Sequence, residues 1–177
     1  MSLTAVVFDL FGTLVDSYSA QKHEQVVTDM ATILGAPRDD FARLWGQETY
    51  ADRMTGRFPT IDANLEHICQ ALGVPVCSQQ VAAAAQRRIS ARRGDLVPRP
   101  GAVDLLARLR TDGYRLGLVS NCSIEIPSLW TETPFAPLVE VPIFSCSVGV
   151  AKPDPRIYRL ACDRRARRDL RRNRTVR

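Results

Sequence analysis

Three short segments of this chain end in residues that could do chemistry together. Asp9 closes the apolar run "AVVFD" and is followed at once by the Gly12-Thr13 turn of "LFGTLVDS". Ser120 and Asn121 close "RLGLVSN", and Lys152 precedes "PDP" after the short apolar segment "PIFSCS". A carboxylate at the end of a strand can act as a nucleophile when the site offsets its charge and that of the substrate. Backbone N–H groups at Gly12 and Thr13, donors at Ser120 and Asn121, and the Lys152 ammonium would supply that offset. Together they suit displacement at phosphorus or at an electrophilic carbon. Each signal alone is weak, since Asp9 by itself reads equally as a capping aspartate. Their coincidence, in order and each after a strand-like run, carries the reading.

Such residues converge only if a parallel sheet brings the carboxyl ends of its strands together. "TAVVF" (Thr4 to Phe8) has the short, β-branched, two-sided apolar character of a buried parallel strand. "RLGLVS" (Arg115 to Ser120) reads as a second, and "PIFSCS" (Pro142 to Ser147) as a third. Between the first two, residues 18 to about 94 lose strand character. "EQVVTDMATILG", "DDFARLWGQETYADRM", "DANLEHICQALG" and "QQVAAAAQRRISARRG" space their apolar groups at three and four residues, as about four helices would. "LVPRPG" marks the return, "AVDLLARLRTDG" an amphipathic helix closed by Gly113, and "DPRIYRLA" a helix with Asp154 as N-cap and Pro155 at its first position. The expected organisation is an α/β core with a Rossmann-like parallel sheet from residues 1–17 and 96–162. An all-helical cap is inserted at 18–95, and a tail follows at 163–177.

Composition narrows the class. At 177 residues and 45% hydrophobic, the chain can bury a sizeable core. No run of 18 apolar residues exists, so no membrane span is expected, and the N-terminus lacks the layout of a signal peptide. Five scattered cysteines without a C-x-x-C pair fit a reduced, cytoplasmic protein. The net charge of +5 is misleading as a global property. Residues 163–177 hold eight Arg and two Asp, which leaves the remainder at −1. Without interleaved aromatics, that run implies at most non-specific contact with nucleic acid.

At these residues the sequence resembles the haloacid dehalogenase superfamily. "FDLFGTLVD" is similar to its first motif, "LVSNCS" to its second and "FSCSVGVAKPDPRIY" to its third, and the helical insert resembles its α-helical cap. The resemblance implies that Asp9 is a nucleophile forming an aspartyl intermediate. It implies that Thr13, Ser120 and Asn121 contact the anionic group of a small-molecule substrate, while Lys152 orients Asp9. In the phosphatase branches it further implies Mg²⁺ held by the Asp9 carboxylate and the main-chain carbonyl of Phe11. The leading expectation is a phosphatase acting on a small phosphorylated metabolite. The alternatives are a 2-haloacid dehalogenase-like hydrolase and a catalytically silent binding protein.

Two departures qualify the resemblance. Family phosphatases carry a second Asp where this chain has Phe11, and the general acid–base role there is worth roughly 10²–10⁴-fold in rate. Dehalogenases carry Tyr there, which Phe11 matches in shape, but the arginine they use for halide follows the Trp, where this chain has Gly46. Arg43 and Arg53 are the nearby substitutes, and both read as solvated helix-surface charges. His23 and His67 read as surface or packing residues, and Trp45 and Trp130 as packing. Tyr18 and Tyr50 are candidates for the cap–core cleft, and the Cys122 thiol for the neighbourhood of the site. The second departure follows "IYRLACDR", where the family continues to a further strand and an acidic motif and this chain continues into arginines. The break reads as a truncation or a shifted frame. The expected consequences are a weakened metal site, weak or absent activity, and an open apolar edge on the first strand through which copies could associate.

Overall fold

Residues 5–17 and 19–163 are described by a computed structural model; the arginine-rich run beyond 163 lies outside the described residues, as does Tyr18. Among the described residues, three short parallel strands form the sheet: β1 (Ala5–Phe8), β2 (Arg115–Ser120) and β3 (Val141–Phe144), in the order β1-β2-β3. Phe8 is in register with Leu118, and Ser120 with Phe144, so the three carboxyl ends lie side by side. β2 is the central strand and is buried over its last five residues. β1 departs from the two-sided burial that its sequence predicts. Among the described residues it pairs with β2 alone, and Val7 is 49% exposed, because a strand with one neighbour has one covered edge.

The helical insertion comprises α1 (Ala20–Leu34), α2 (Arg38–Arg43), a π-helical turn (Leu44–Glu48), α3 (Tyr50–Met54), α4 (Ile61–Ala71) and α5 (Ser78–Asp95). α1 shows how the pattern becomes structure. Ser19 caps its start by accepting from the Lys22 N–H, and its stripe of Val26, Val27, Met30 and Leu34 is buried against α5. Each such aliphatic side chain contributes about 1.5–3 kcal/mol when fully buried. The segment "DDFARLWGQETYADRM", read as one helix, is three pieces. The Thr49 N–H and hydroxyl both donate to the Leu44 carbonyl, widening the turn between α2 and α3. Such π-helical turns recur at functional sites.

α6 (Ala102–Thr111), α7 (Glu125–Trp130) and α8 (Ser145–Val148) complete the named helices, and a further helix begins at 155. The Asp154 carboxylate accepts from the Arg156 N–H, as an N-capping aspartate should. The apolar interior falls into separate clusters. One lies under the sheet around Leu10, Leu106, Leu116, Leu118 and Phe135, and another lies within the helical insertion around Met30, Trp45, Leu65 and Ile68. Gly56, after α3, joins the two parts closely. A Cβ there would fall 1.9 Å from the Cys146 carbonyl oxygen, at a φ of +74° that other residues rarely adopt.

Candidate active site

β1 delivers Asp9 to the sheet edge, and the third segment delivers Lys152 to it. The Lys152 Nζ lies 2.6 Å from Asp9 Oδ1, and the Leu10 N–H donates to the same oxygen at 2.8 Å. The pair is only partly covered: the Asp9 side chain is 43% exposed and that of Lys152 21%. Asn121, at the end of β2, places the lysine. Its Nδ2 donates to the Lys152 carbonyl at 2.9 Å, and its Oδ1 accepts from the Lys152 N–H at 2.7 Å. The resemblance cast Asn121 as a contact to the substrate anion. In the structure its side-chain amide brackets the Lys152 backbone. Ser120 is fully buried at the same strand end, with its hydroxyl beside the Cys122 thiol.

The turn after Asp9 is built differently from the anion cradle that its sequence suggests. The Gly12 N–H donates to the Val15 carbonyl and the Thr13 N–H to that of Leu10, so both are engaged inside the turn. Gly12 is needed for shape: its φ is +77°, and a Cβ would meet Ser17 Oγ at 2.9 Å. Arg99 fastens the turn from outside by donating to the Gly12 carbonyl at 3.1 Å. Thr13 itself is exposed.

Beside the Asp9–Lys152 pair opens a cleft of about 310 Å³, lined by Phe11 and Asn121 from the sheet ends and by Tyr50, Arg53, Arg88 and Arg92 from the helices. Asp9 and Lys152 are not among its lining residues, but Phe11, two residues beyond Asp9, and Asn121, which brackets the Lys152 backbone, are. The guanidinium of Arg92 lies 5.9 Å from the Phe11 ring, and that of Arg53 lies 3.8 Å over the Trp45 ring. Arg53 therefore overturns its reading as a surface charge: it is 3% exposed. The widened π-helical turn and α3 carry it inward, where its Nη1 donates to Thr49 Oγ1 and Asn64 Oδ1 and its Nη2 to the Trp45 carbonyl. Arg43, in contrast, is an exposed residue paired with Asp40 and Glu48.

Sequence reasoning missed Arg88, Arg92 and Glu125. The first two had a signal, because they extend the buried stripe Val81, Ala84, Ala85 of α5 at helical spacing. Glu125 had none, since its burial depends on α5 packing across α7. Arg88 Nε lies 2.8 Å and Arg92 Nε 3.5 Å from Glu125 Oε1. Burial raises the Glu125 carboxyl, but Arg88 and Arg92 outweigh it and hold it below its ordinary value. Burial lowers Arg53 and Arg92 to about 10, so both stay charged at neutral pH. His23 also lines the cleft, and burial, then Arg88 and Arg53, push it down. Cys122 is a cleft residue whose buried thiol is pushed well up, which keeps it protonated. Tyr50 lines the cleft as expected, His67 packs its ring against Phe58, and Trp130 packs against Phe135 and Phe144.

Toward Mg²⁺, Asp9 offers one carboxylate whose Oδ1 already meets an ammonium, and Phe11 offers a main-chain carbonyl. Among the described residues no group of three His, Cys, Asp or Glu could hold a metal ion. The described donors by themselves fall short of a Mg²⁺ site. No helix among the described residues is long and apolar enough to cross a membrane.

Comparison with known proteins identifies the family. A family model for haloacid dehalogenase-like hydrolases matches residues 3–169. An (S)-2-haloacid dehalogenase of Pseudomonas putida is 31% identical over 174 residues, covering 90% of this chain and 70% of that protein. A phosphatase of Mycobacterium tuberculosis is 27% identical over 164 residues, covering 89% of this chain and 71% of its own. Among solved structures, a haloacid dehalogenase family enzyme of Bacteroides thetaiotaomicron superposes with a TM-score of 0.68 at 19% identity, over 94% of this chain and 80% of that one. The same enzyme has been solved with magnesium and inorganic phosphate. A dehalogenase structure superposes with a TM-score of 0.53 at 26% identity, over 93% of this chain and 72% of that one. A parallel α/β sheet with an acid–ammonium pair at its strand ends, matched along nearly its whole described length, places this chain in the haloacid dehalogenase-like hydrolase family.

Proposed function

We propose that the chain is a carbon–halogen hydrolase acting on small 2-halo acids through Asp9. The observation that carries the reading is Phe11. A phosphomonoester expels an alkoxide that gains from protonation, and Phe11 places an aromatic ring where an acid would stand. A halide leaves without a proton, so nothing is lost at that position. The dehalogenase relatives support the same choice over the phosphatase reading favoured by the motifs alone.

Lys152 and the Leu10 N–H both hold Oδ1 of Asp9, which fixes the carboxyl and leaves Oδ2 to attack. Attack on C2 forms a C–O bond as the carbon–halogen bond breaks, and the halide departs with the electron pair. Water then adds to Cγ of the Asp9 ester, and the ester C–O bond breaks. The 2-hydroxy acid leaves with one proton of that water, the second goes to solvent, and the water oxygen stays on Asp9. Asn121 keeps Lys152 in place throughout.

The test is parallel measurement of chloride released from 2-chloropropanoate and phosphate released from p-nitrophenyl phosphate, each with and without Mg²⁺. Metal-independent chloride release, with ¹⁸O from labelled water entering Asp9 in a single turnover, is the expected result. Phosphate release that requires Mg²⁺, without chloride release, would establish the phosphatase reading suggested by the Mycobacterium tuberculosis relative.

A further inference from the structure

The cleft beside Asp9 is larger and more positive than a two- or three-carbon substrate requires. Its volume of about 310 Å³ lies at the lower end of the range for sites that take whole multi-atom ligands. At Gly46 a side chain would meet nothing within 4 Å, so the cleft is open on that side. Three guanidiniums line it, those of Arg53, Arg88 and Arg92, and each belongs to a residue less than 5% exposed. The carboxylates that answer them are Glu125, against Arg88 and Arg92, and Asp95, 2.9 Å from Arg92. Arg53 hydrogen-bonds to neither, and Glu125 reaches it only by longer-range attraction. Its hydrogen bonds go to a hydroxyl, an amide oxygen and a main-chain carbonyl, all neutral.

Donor counting sharpens the point. A guanidinium carries five N–H groups, and the three bonds above leave Arg53 with Nε–H and one N–H of Nη2. Nε is buried with no hydrogen-bond partner among the described residues. The Trp45 ring under the guanidinium, at 3.8 Å, withholds water from one face. A buried cation with no carboxylate in hydrogen-bond contact is under-compensated, and two remaining donors on one guanidinium match the two oxygens of a carboxylate.

We propose that Arg53 binds a second, remote carboxylate of the substrate, so that the enzyme prefers dicarboxylates to monocarboxylates. This rests on the reading of Asp9 as the reacting group, because it names what lies at the far end of the same substrate. Arg88 and Arg92 raise the positive potential around that carboxylate while remaining tied to Glu125. Phe11, Tyr50, Met54 and Ile126 give the carbon chain its apolar walls.

Calorimetric titration of the full chain with the unreactive acids butanoate and glutarate tests this without any turnover. Glutarate should bind at least tenfold more tightly in the wild-type protein, a comparison that needs no variant. In Arg53→Gln, checked for folding by circular dichroism, the preference should collapse to within about twofold, and Arg53→Lys should restore part of it. Equal affinities in the wild type, or an undiminished preference in folded Arg53→Gln, would overturn the proposal. Halide release from 2-chloropropanoate and 2-chloroglutarate in the same preparation separates the two readings. Glutarate preference without any halide release sinks the chemistry and keeps the anion site. Halide release with no dicarboxylate preference does the reverse.

Discussion

Two ion pairs in this molecule use the same chemistry for opposite ends. Asp9 and Lys152 meet at the sheet edge with 43% and 21% of their side chains exposed. Arg88 and Glu125 meet between α5 and α7 with 3% and 0% exposed. The open pair can be separated or approached by a ligand at little cost, because water screens both charges. The closed pair cannot: removing one partner strands the other in a medium that solvates it poorly. The difference teaches that accessible and locked charges sit on neighbouring but distinct elements. The sheet ends hold the pair open to a ligand, and on the proposed chemistry the group that changes, while the helix junction holds charges that stay fixed.

Changing the two pairs in turn should separate their roles. Asp9→Asn should lower turnover by roughly 10⁴-fold or more, as loss of a nucleophile does. It should shift stability by about 1 kcal/mol or less. An active Asp9→Asn variant would break the assignment of chemistry to the open pair. Glu125→Gln should do the converse, destabilising by about 3–5 kcal/mol in urea denaturation, because Arg88 and Arg92 lose their shared carboxylate. An unchanged denaturation midpoint would mean that the junction is not held by charge.

The closed pair also has a pH signature. Glu125 has a folded value below its ordinary 4.5, so its contribution is fully present above that pH. It is lost as pH falls through the lower folded value. Wild-type stability should therefore drop more steeply below pH 4.5 than that of Glu125→Gln; parallel curves would remove the carboxylate from the argument. Asn121→Ala sharpens the open side. Losing the two hydrogen bonds to the Lys152 backbone should reduce kcat roughly tenfold, about 1.4 kcal/mol in the barrier, with a smaller change in stability. The smallest effect is expected at Arg93, which pairs with Glu132 across nearly the same helix junction but is over half exposed. Arg93→Ala should leave the melting temperature within measurement error, isolating burial as the variable that distinguishes it from Arg88.

The legible parts of the site were those with short-range causes. Asp9, Ser120 and Lys152 each follow an apolar strand-like run, and parallel pairing of adjacent strands then leaves them little choice of position. Gly12 announced its turn because the backbone there needs a positive φ. Arg53 was misjudged because the period of its helix was taken as continuous. The wider turn at Leu44–Glu48 shifts the register and rotates the arginine inward. The engagement of the Gly12 and Thr13 N–H groups, and of the Asn121 amide, was not legible either, since partners in a turn or across 31 residues depend on the closed geometry.

The amino-acid sequence by itself determined the order of strands and helices, the family and the aspartate at the end of the first strand, because periodicity and motif spacing are local properties of the chain. Which charges are buried, which donors remain free and what the cleft can hold were decided only by tertiary structure. Burial and electrostatic pairing depend on surfaces that meet when α5, α7 and the π-helical turn close on the sheet ends. A guanidinium has the same formula in water and against Trp45, and only its surroundings make it a binding site.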